Sequence, residues 1–141
     1  MICLFDTSAL VKLIIDEPGS ESAVTIWNRS GVPVTSRLAQ PELAAALAAA
    51  RRADRLRAPE VRVATRRASR LFDEVTWLEL GPDNARLAAA LATDHVLSGA
   101  DAVHLACAVQ LGAESMFATF DERLRLAAGA LGISLLPAQT S

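Results

Sequence analysis

Residues 2–14, ICLFDTSALVKLI, are the stretch that decides the fold prediction. The apolar run Ile2–Phe5 has the length of a buried strand, and the next residues, Asp6, Thr7 and Ser8, are types that begin helices. Apolar side chains then recur at helical spacing until Pro18-Gly19 ends the pattern. The stretch predicts a buried strand that runs into a helix, with a carboxylate at the junction.

The rest of the chain alternates in the same way. Apolar periodicity, caps and turn residues predict helices over residues 20–29, 38–55, 60–72, 84–94, 100–111 and 121–130. Strands are predicted over residues 33–35, 75–80, 116–119 and 133–136. Strands that alternate with helices favour a parallel sheet covered on both faces. We therefore predict one three-layer α/β/α domain over residues 1–141, with a mainly parallel central sheet.

Composition supports a helix-rich globular domain. The chain has 141 residues, long enough to bury an adequate core without disulfides or a structural metal. Ala (28) and Leu (20) far outnumber Val and Ile (15 together), and that balance favours helices. With 52% apolar and 21% charged residues, the sequence is unlike a disordered or fibrous chain.

No segment resembles a membrane span or a secretory signal. The longest apolar stretches, such as residues 44–50, are far shorter than the ~20 residues that a transmembrane helix needs. The N-terminus has neither the basic region nor the cleavage site of a signal peptide. Cys3 and Cys107 both lie in apolar runs, as reduced core residues do. These features predict a cytoplasmic protein that does not bind membranes.

Charge is unevenly distributed along the chain. The net charge is −2, but residues 51–70 hold eight arginines against two acids, so this segment carries +6 and the remainder −8. Arg62, Arg66 and Arg70 recur every four residues and share one helical face. A basic strip on an acidic protein is typical of a chain that contacts a polyanion in one place and binds a cation in another. A solvated helix face is the alternative.

Four acids fall at positions that suggest chemistry. Asp6 and Asp121 follow strands, at the edge where parallel sheets bind ligands. Asp101 begins a helix that is apolar nearly all round, and Glu42 precedes a long apolar run. Each of these acids, taken alone, is explained as a helix cap or a first-turn acid. Gathered at one edge they would repel, and Mg²⁺ or Mn²⁺ would remove that repulsion.

Four short motifs occur in a characteristic order. They are LFDTSALVK at residues 4–12, PEL at 41–43, DAVHLA at 101–106 and ATFDERL at 118–124. In this order the motifs resemble the PIN-domain family, and most of all its VapC-type toxins from bacterial toxin–antitoxin pairs. The resemblance extends from Ile2 to about Leu136.

The resemblance implies both a site and an activity. Asp6, Glu42, Asp101 and Asp121 match the family's acidic quartet, which implies that they are catalytic and bind the metal. The cofactor would be Mg²⁺, with Mn²⁺ as a substitute. The family hydrolyses phosphodiester bonds of RNA, usually as a homodimer that an antitoxin neutralises. We therefore expect a metal-dependent endoribonuclease toxin.

Further residues are candidates for support around the quartet. Thr7, Ser8 and Thr119 match hydroxyl positions that the family places near its acids. His104 lies one helical turn after Asp101. It is either a hydrogen-bond partner or proton shuttle for the acids or, as is more common for such a histidine, a satisfied polar residue of a packed helix. For the stripe formed by Arg62, Arg66 and Arg70, RNA and an acidic antitoxin segment are both possible partners.

Two other functions are weighed against the nuclease. A toxin–antitoxin protein that acts mainly through a DNA-binding antitoxin would have little nuclease activity of its own. A phosphatase of the haloacid dehalogenase type would also have a strand that ends in Asp. Such phosphatases place a second Asp two residues later, where this chain has Ser8, so this alternative is weak.

Overall fold

A five-stranded sheet lies at the centre of the computed structural model, which describes residues 1–138. Its strands are β1 (Ile2–Phe5), β2 (Val32–Ser36), β3 (Thr76–Leu78), β4 (Met116–Ala118) and β5 (Leu135–Leu136). They lie side by side in the order β3-β2-β1-β4-β5, and every neighbouring pair is parallel. The parallel sheet predicted from the sequence is confirmed. Residues 139–141 of the predicted domain lie outside the described residues.

Seven helices connect the strands within the described part of the chain. They are α1 (Thr7–Ile14), α2 (Ser20–Arg29), α3 (Ala39–Arg52), α4 (Ala58–Glu74), α5 (Pro82–His95), α6 (Gly99–Leu111) and α7 (Glu122–Ala130). Each predicted helix is present. Since β1 is the middle strand and leads directly into α1, the junction at Asp6 lies at the centre of the sheet's carboxyl edge.

Side chains of the central strand alternate between two cores. Leu4 belongs to the core beneath α5, α6 and α7, together with Leu105. Its neighbour Phe5 belongs to the opposite core beneath α1–α4, together with Leu10 and Leu43. This alternation is the two-residue period of a strand buried on both faces. The predicted three-layer α/β/α architecture is confirmed.

Two helices begin two residues earlier than the sequence suggests, and both have a proline at one of their first two positions. The helix predicted over residues 60–72 starts at Ala58, with Pro59 in its first turn, and the helix predicted over 84–94 starts at Pro82. Proline is favoured there because its missing N–H has no partner in the first turn anyway. The strand predicted over 75–80 is shorter and ends at Leu78.

Neither a membrane span nor a disulfide is part of the described fold. Among residues 1–138, no helix is both long enough and apolar enough to cross a membrane. Cys3 and Cys107 are buried free thiols, in agreement with the sequence prediction. Burial raises the pKa of the Cys3 thiol to about 12, so it stays protonated as a core residue.

Candidate active site

Asp6 and Asp121 lie at the carboxyl edge of neighbouring strands and also cap the helices that follow. The Asp6 side chain accepts a hydrogen bond from the Ala9 amide (2.9 Å) at the start of α1. The Asp121 side chain accepts one from the Leu124 amide (3.0 Å) at the start of α7. The capping interpretation of these acids is therefore correct, and it places both carboxylates at one edge of the sheet.

Asp6 is buried in a network of hydroxyl groups. Its side chain accepts hydrogen bonds from Ser8 Oγ (2.7 Å) and from Thr119 Oγ1 (2.5 Å), one on each carboxylate oxygen. The Thr119 hydroxyl also accepts from the Asp121 amide (3.1 Å) and so connects the two acids. Burial raises the pKa of Asp6, and these donors together with the charge of His104 oppose the rise.

Glu42 and His104 come from helices on opposite sides of the sheet and meet at the same edge. Glu42 lies in the first turn of α3, and one of its oxygens is 2.6 Å from His104 Nε2 on α6. Thr7 Oγ1 donates to the same Glu42 oxygen at 2.8 Å. The structure therefore places His104 and Thr7, two of the predicted supporting residues, in contact with a carboxylate of the quartet.

The contact between Glu42 and His104 shifts the pKa of both residues. Burial tends to raise the pKa of Glu42, but hydrogen bonds from His104 and Thr7 outweigh it and the pKa is lowered. Burial tends to lower the pKa of His104, but the Glu42 hydrogen bond and the charge of Asp6 outweigh it and the pKa is raised. His104 is 1% exposed, so its imidazole is fixed in place beside the acids.

Asp101 interacts electrostatically with two other acids of the quartet, Asp121 and Glu42. It lies in the first turn of α6, where its amide donates to Ser98 Oγ (3.2 Å). Burial and the negative charges of Asp121 and Glu42 raise the pKa of Asp101. The structure thus brings Asp101 close enough to Asp121 and Glu42 for their charges to interact, while Asp6 is connected to Asp121 through the Thr119 hydroxyl.

The donor chemistry of this edge fits a hard divalent cation. Carboxylate and hydroxyl oxygens are the ligands that Mg²⁺ and Mn²⁺ prefer, and the like charges acting on Asp101 are what a cation would neutralise. In their present orientations, no three acid, histidine or cysteine side chains of residues 1–138 converge as a metal cluster. Asp6 and Glu42 instead direct oxygens to hydroxyl and imidazole groups. Side chains of the quartet would therefore have to turn in order to bind an ion together.

Arg125 is a supporting residue that the sequence analysis does not identify. Its guanidinium donates to the main-chain carbonyls of Thr119 (2.8 Å) and Pro137 (2.6 Å). It thereby connects the loop that holds the Thr119 hydroxyl with the segment after β5. The sequence signal is weak: Arg125 lies one helical turn after Asp121, which places the two residues on the same side of α7.

The predicted basic stripe is a feature of the surface. Arg62, Arg66 and Arg70 are exposed on α4, whereas Ala64 and Ala68 of the same helix are buried in the core. The stripe therefore faces away from the sheet. Its exposure leaves the arginines accessible to a partner, and RNA contact stays a prediction.

Sequence comparison with known proteins identifies the family of this chain. Residues 3–130 match the PIN domain family, and the chain belongs to that family. It is 41% identical over 136 residues to Ribonuclease VapC45 of Mycobacterium tuberculosis (strain CDC 1551 / Oshkosh), a match that covers 96% of this chain and 94% of that protein. The family resemblance seen in the four motifs is confirmed.

Solved structures have the same fold. One is Mycobacterium tuberculosis VapC20, described as a Sarcin-Ricin loop cleaving toxin, with a TM-score of 0.68, 22% identity, and coverage of 89% of this chain and 94% of that chain. Another is a toxin–antitoxin complex from Klebsiella pneumoniae, with a TM-score of 0.68, 19% identity, and coverage of 99% of both chains. At these identities the likeness establishes a common fold.

Proposed function

We propose that this chain is an endoribonuclease that hydrolyses phosphodiester bonds of RNA with Mg²⁺, for which Mn²⁺ can substitute. The observation that carries the proposal is that Asp6, Glu42, Asp101 and Asp121 lie along one edge of the sheet, where burial and the charges of Asp121 and Glu42 raise the pKa of Asp101. Packing alone gives no reason to gather four acids there, since their mutual repulsion is unfavourable. The 41% identity to a ribonuclease supports the same activity.

Each residue of the site has a proposed role. Asp6, Asp101 and Asp121 would hold the cation, and Glu42 would complete its surroundings or orient a water molecule. When bound, the cation supplies a lowered pKa for attacking water and neutralises charge that grows on the phosphoryl oxygens. Ser8 and Thr119 hold the carboxylate of Asp6 at hydrogen-bond distance.

Thr7 and His104 would hold the carboxylate of Glu42 in place, as Ser8 and Thr119 hold that of Asp6. Both contact the same Glu42 oxygen, which leaves the other oxygen of that carboxylate available to a ligand. The hydroxyl and imidazole groups thus restrict the orientation of this acid before substrate arrives. Such positioning of charged groups is a large part of catalysis in phosphoryl transfer.

We further propose that an antitoxin protein neutralises the enzyme in the cytoplasm. Support comes from a relative named as a VapC ribonuclease and from a toxin–antitoxin complex with the same fold. The stripe formed by Arg62, Arg66 and Arg70 would contact the RNA backbone, and an acidic segment of the antitoxin is the other candidate partner. The two free buried thiols are compatible with a reducing compartment.

A homodimer is the proposed assembly. An apolar cleft of about 400 Å³ lies between α5 and α6 and is lined largely by alanines, together with Leu38, Leu80 and Val103. Leu80 is 52% exposed beside it. A second copy of the chain that covered this cleft would remove apolar surface from water, which is favourable in proportion to the area buried.

Cleavage mapping tests the proposed activity. The protein is incubated with a pool of single-stranded RNA in Mg²⁺ or in EDTA, and new 5′ ends are sequenced. We expect cleavage in Mg²⁺, no cleavage in EDTA, and almost none for Asp121→Asn. Asp73→Asn, the same change at an exposed acid of α4, is the matched control and should cleave normally.

Two outcomes would contradict the proposal. Cleavage that persists in EDTA would remove the metal from the mechanism. Absence of cleavage by the unsubstituted protein, combined with DNA binding in complex with its antitoxin, would favour the alternative of a regulatory protein that acts through its partner.

A further inference from the structure

Two large apolar side chains are unusually exposed at the mouth of one cleft. Val96 is 84% exposed and Leu126 is 74% exposed, more than any other large apolar residue within residues 1–138. They come from different segments, since Val96 follows α5 and Leu126 belongs to α7, yet both line a cleft of about 410 Å³. His95, Arg123 and Ala127 complete its lining. Apolar side chains that are exposed together mark a binding surface more often than scattered ones do.

The segments that line the cleft also carry or lead to two acids of the candidate active site. Leu126 follows Asp121 by five residues on α7, which is about 7.5 Å along a helix axis. Val96 precedes Ser98, the cap of α6 to which the Asp101 amide donates. Because the charges of Asp101 and Asp121 act on each other, the segments that carry them converge here. The cleft therefore lies between the segment that leads to Asp101 and the helix that begins at Asp121.

The backbone at Val96 is unfavourable for valine. Its φ of 54° and ψ of 50° lie in the left-handed region, which β-branched residues rarely adopt. Within residues 1–138, Asp54 is the only other residue besides glycine with a positive φ. A glycine would relieve the strain at this position, yet the chain has an exposed valine. Strained residues of this kind cluster at functional sites.

We propose that this cleft is a nucleobase subsite, which holds an unpaired base of the RNA beside the scissile phosphate. This inference rests on the proposed ribonuclease function. Val96 and Leu126 would contact the flat face of the base, and the imidazole of His95 would stack on it. The Arg123 guanidinium is the cation of the cleft and would bind the neighbouring phosphate.

An unpaired base is the occupant that these features fit. The apolar walls and the adjacent cation match the two halves of a nucleotide, its base and its phosphate. The cleft has the volume of a small-molecule site, which excludes a duplex. The subsite would therefore act on specificity, because it selects which nucleotide flanks the bond that is cleaved.

Binding to modified RNA tests the subsite without cleavage. The protein carries Asp6→Asn to prevent turnover, and fluorescence anisotropy measures its binding to short labelled single-stranded RNAs with one abasic position each. Loss of the base at one position should weaken binding about 5-fold or more, the range for stacking of one base. Leu126→Ser or Val96→Gly should abolish this difference in affinity between the intact and the abasic RNA. The matched control is Val24→Ser, which changes a 45% exposed valine on α2 and should preserve the difference.

A second measurement uses the active protein. Sequenced 5′ ends should show a base preference at one position beside the cleaved bond, and Leu126→Ser should flatten it. Val96→Gly should not lower the melting temperature, since glycine accepts the left-handed backbone.

Two outcomes would contradict the subsite. Binding and base preference that are unchanged by Leu126→Ser and Val96→Gly would overturn it. A change in sedimentation or antitoxin binding, with RNA recognition intact, would assign the cleft to a protein interface instead. Failure of the nuclease proposal is distinguishable: RNA would stay uncut by the unsubstituted protein while the dependence on the base persists in the anisotropy assay.

Discussion

Asp101→Asn tests whether the carboxylates share a cation. Burial and the charges of Asp121 and Glu42 raise the pKa of Asp101, so ionised Asp101 is repelled by its neighbours. Asparagine keeps the shape of the side chain and removes one of these charges. We therefore expect the variant to be at least as stable as the unsubstituted protein without metal. It should lose most of the stabilisation that Mg²⁺ provides, because a charged ligand is missing.

The size of the metal effect follows from mass action. A cation at a hundred times its dissociation constant stabilises the folded state by about 2.7 kcal/mol. An unfolding entropy of roughly 2.1 cal/mol/K per residue gives about 0.3 kcal/mol/K for 141 residues. The melting temperature of the unsubstituted protein should therefore rise by about 9 °C. If Asp101→Asn weakens binding about 100-fold, the stabilisation falls to about 0.4 kcal/mol and the rise to about 1 °C.

Scanning calorimetry with and without MgCl₂ measures both quantities, and a cleavage assay on the same samples reports activity. Asp73→Asn removes an exposed acid of α4 and should respond to Mg²⁺ as the unsubstituted protein does. The reasoning fails if Asp101→Asn keeps the full rise in melting temperature and cleaves RNA at the unsubstituted rate in Mg²⁺ or Mn²⁺.

Three further predictions concern the surface, the hydroxyl network and the assembly. Replacing Arg62, Arg66 and Arg70 with Ala should weaken RNA binding. The slope of log affinity against log salt concentration should become shallower by about 2, since each phosphate contact contributes about 0.7. An unchanged slope would make the stripe a solvated face. Thr119→Val removes the hydroxyl that donates to Asp6 and accepts from the Asp121 amide. Urea unfolding should therefore show a free energy of unfolding lower by about 1–3 kcal/mol, and equal stability would contradict the network. Ala89→Arg puts a charge in the cleft between α5 and α6 and should leave a 14.9 kDa species in sedimentation; an unsubstituted protein that is already monomeric at micromolar concentration would refute the dimer.

Local rules account for most of the fold prediction. An apolar run that ends in Asp6 identifies the central strand, and helical spacing identifies each helix, because both patterns repeat within a few residues. The strand order β3-β2-β1-β4-β5 is not available from those patterns. Periodicity reveals which residues face a core, but it does not specify which strand is the neighbour.

The candidate site is predictable in part for the same reason. Asp6 and Asp121 follow strands, so the parallel topology alone directs them to one edge. The contact between Glu42 and His104 spans 62 positions and depends on how α3 and α6 pack across the sheet. The sequence accordingly left open whether His104 supports the acids or only fills the helix. The exposed cleft at Val96 gives no sequence signal at all, since backbone conformation and exposure are properties of the folded chain.

The two explanations of the acids, as helix-terminal residues and as a functional quartet, are compatible in this fold. Asp6 and Asp121 are caps, and Glu42 and Asp101 occupy first turns, so each acid lies at the N-terminus of a helix. A helix N-terminus carries a partial positive charge that stabilises a nearby carboxylate by about 0.3–1 kcal/mol. Four such termini therefore offset part of the repulsion within the quartet before any cation binds. The parallel sheet creates this arrangement for three of the acids, because β1, β2 and β4 are each followed by the start of the helix that Asp6, Glu42 or Asp121 occupies. Asp101 joins them from α6, which follows α5, and the same edge can thereby gather acids that would otherwise be too costly to hold together.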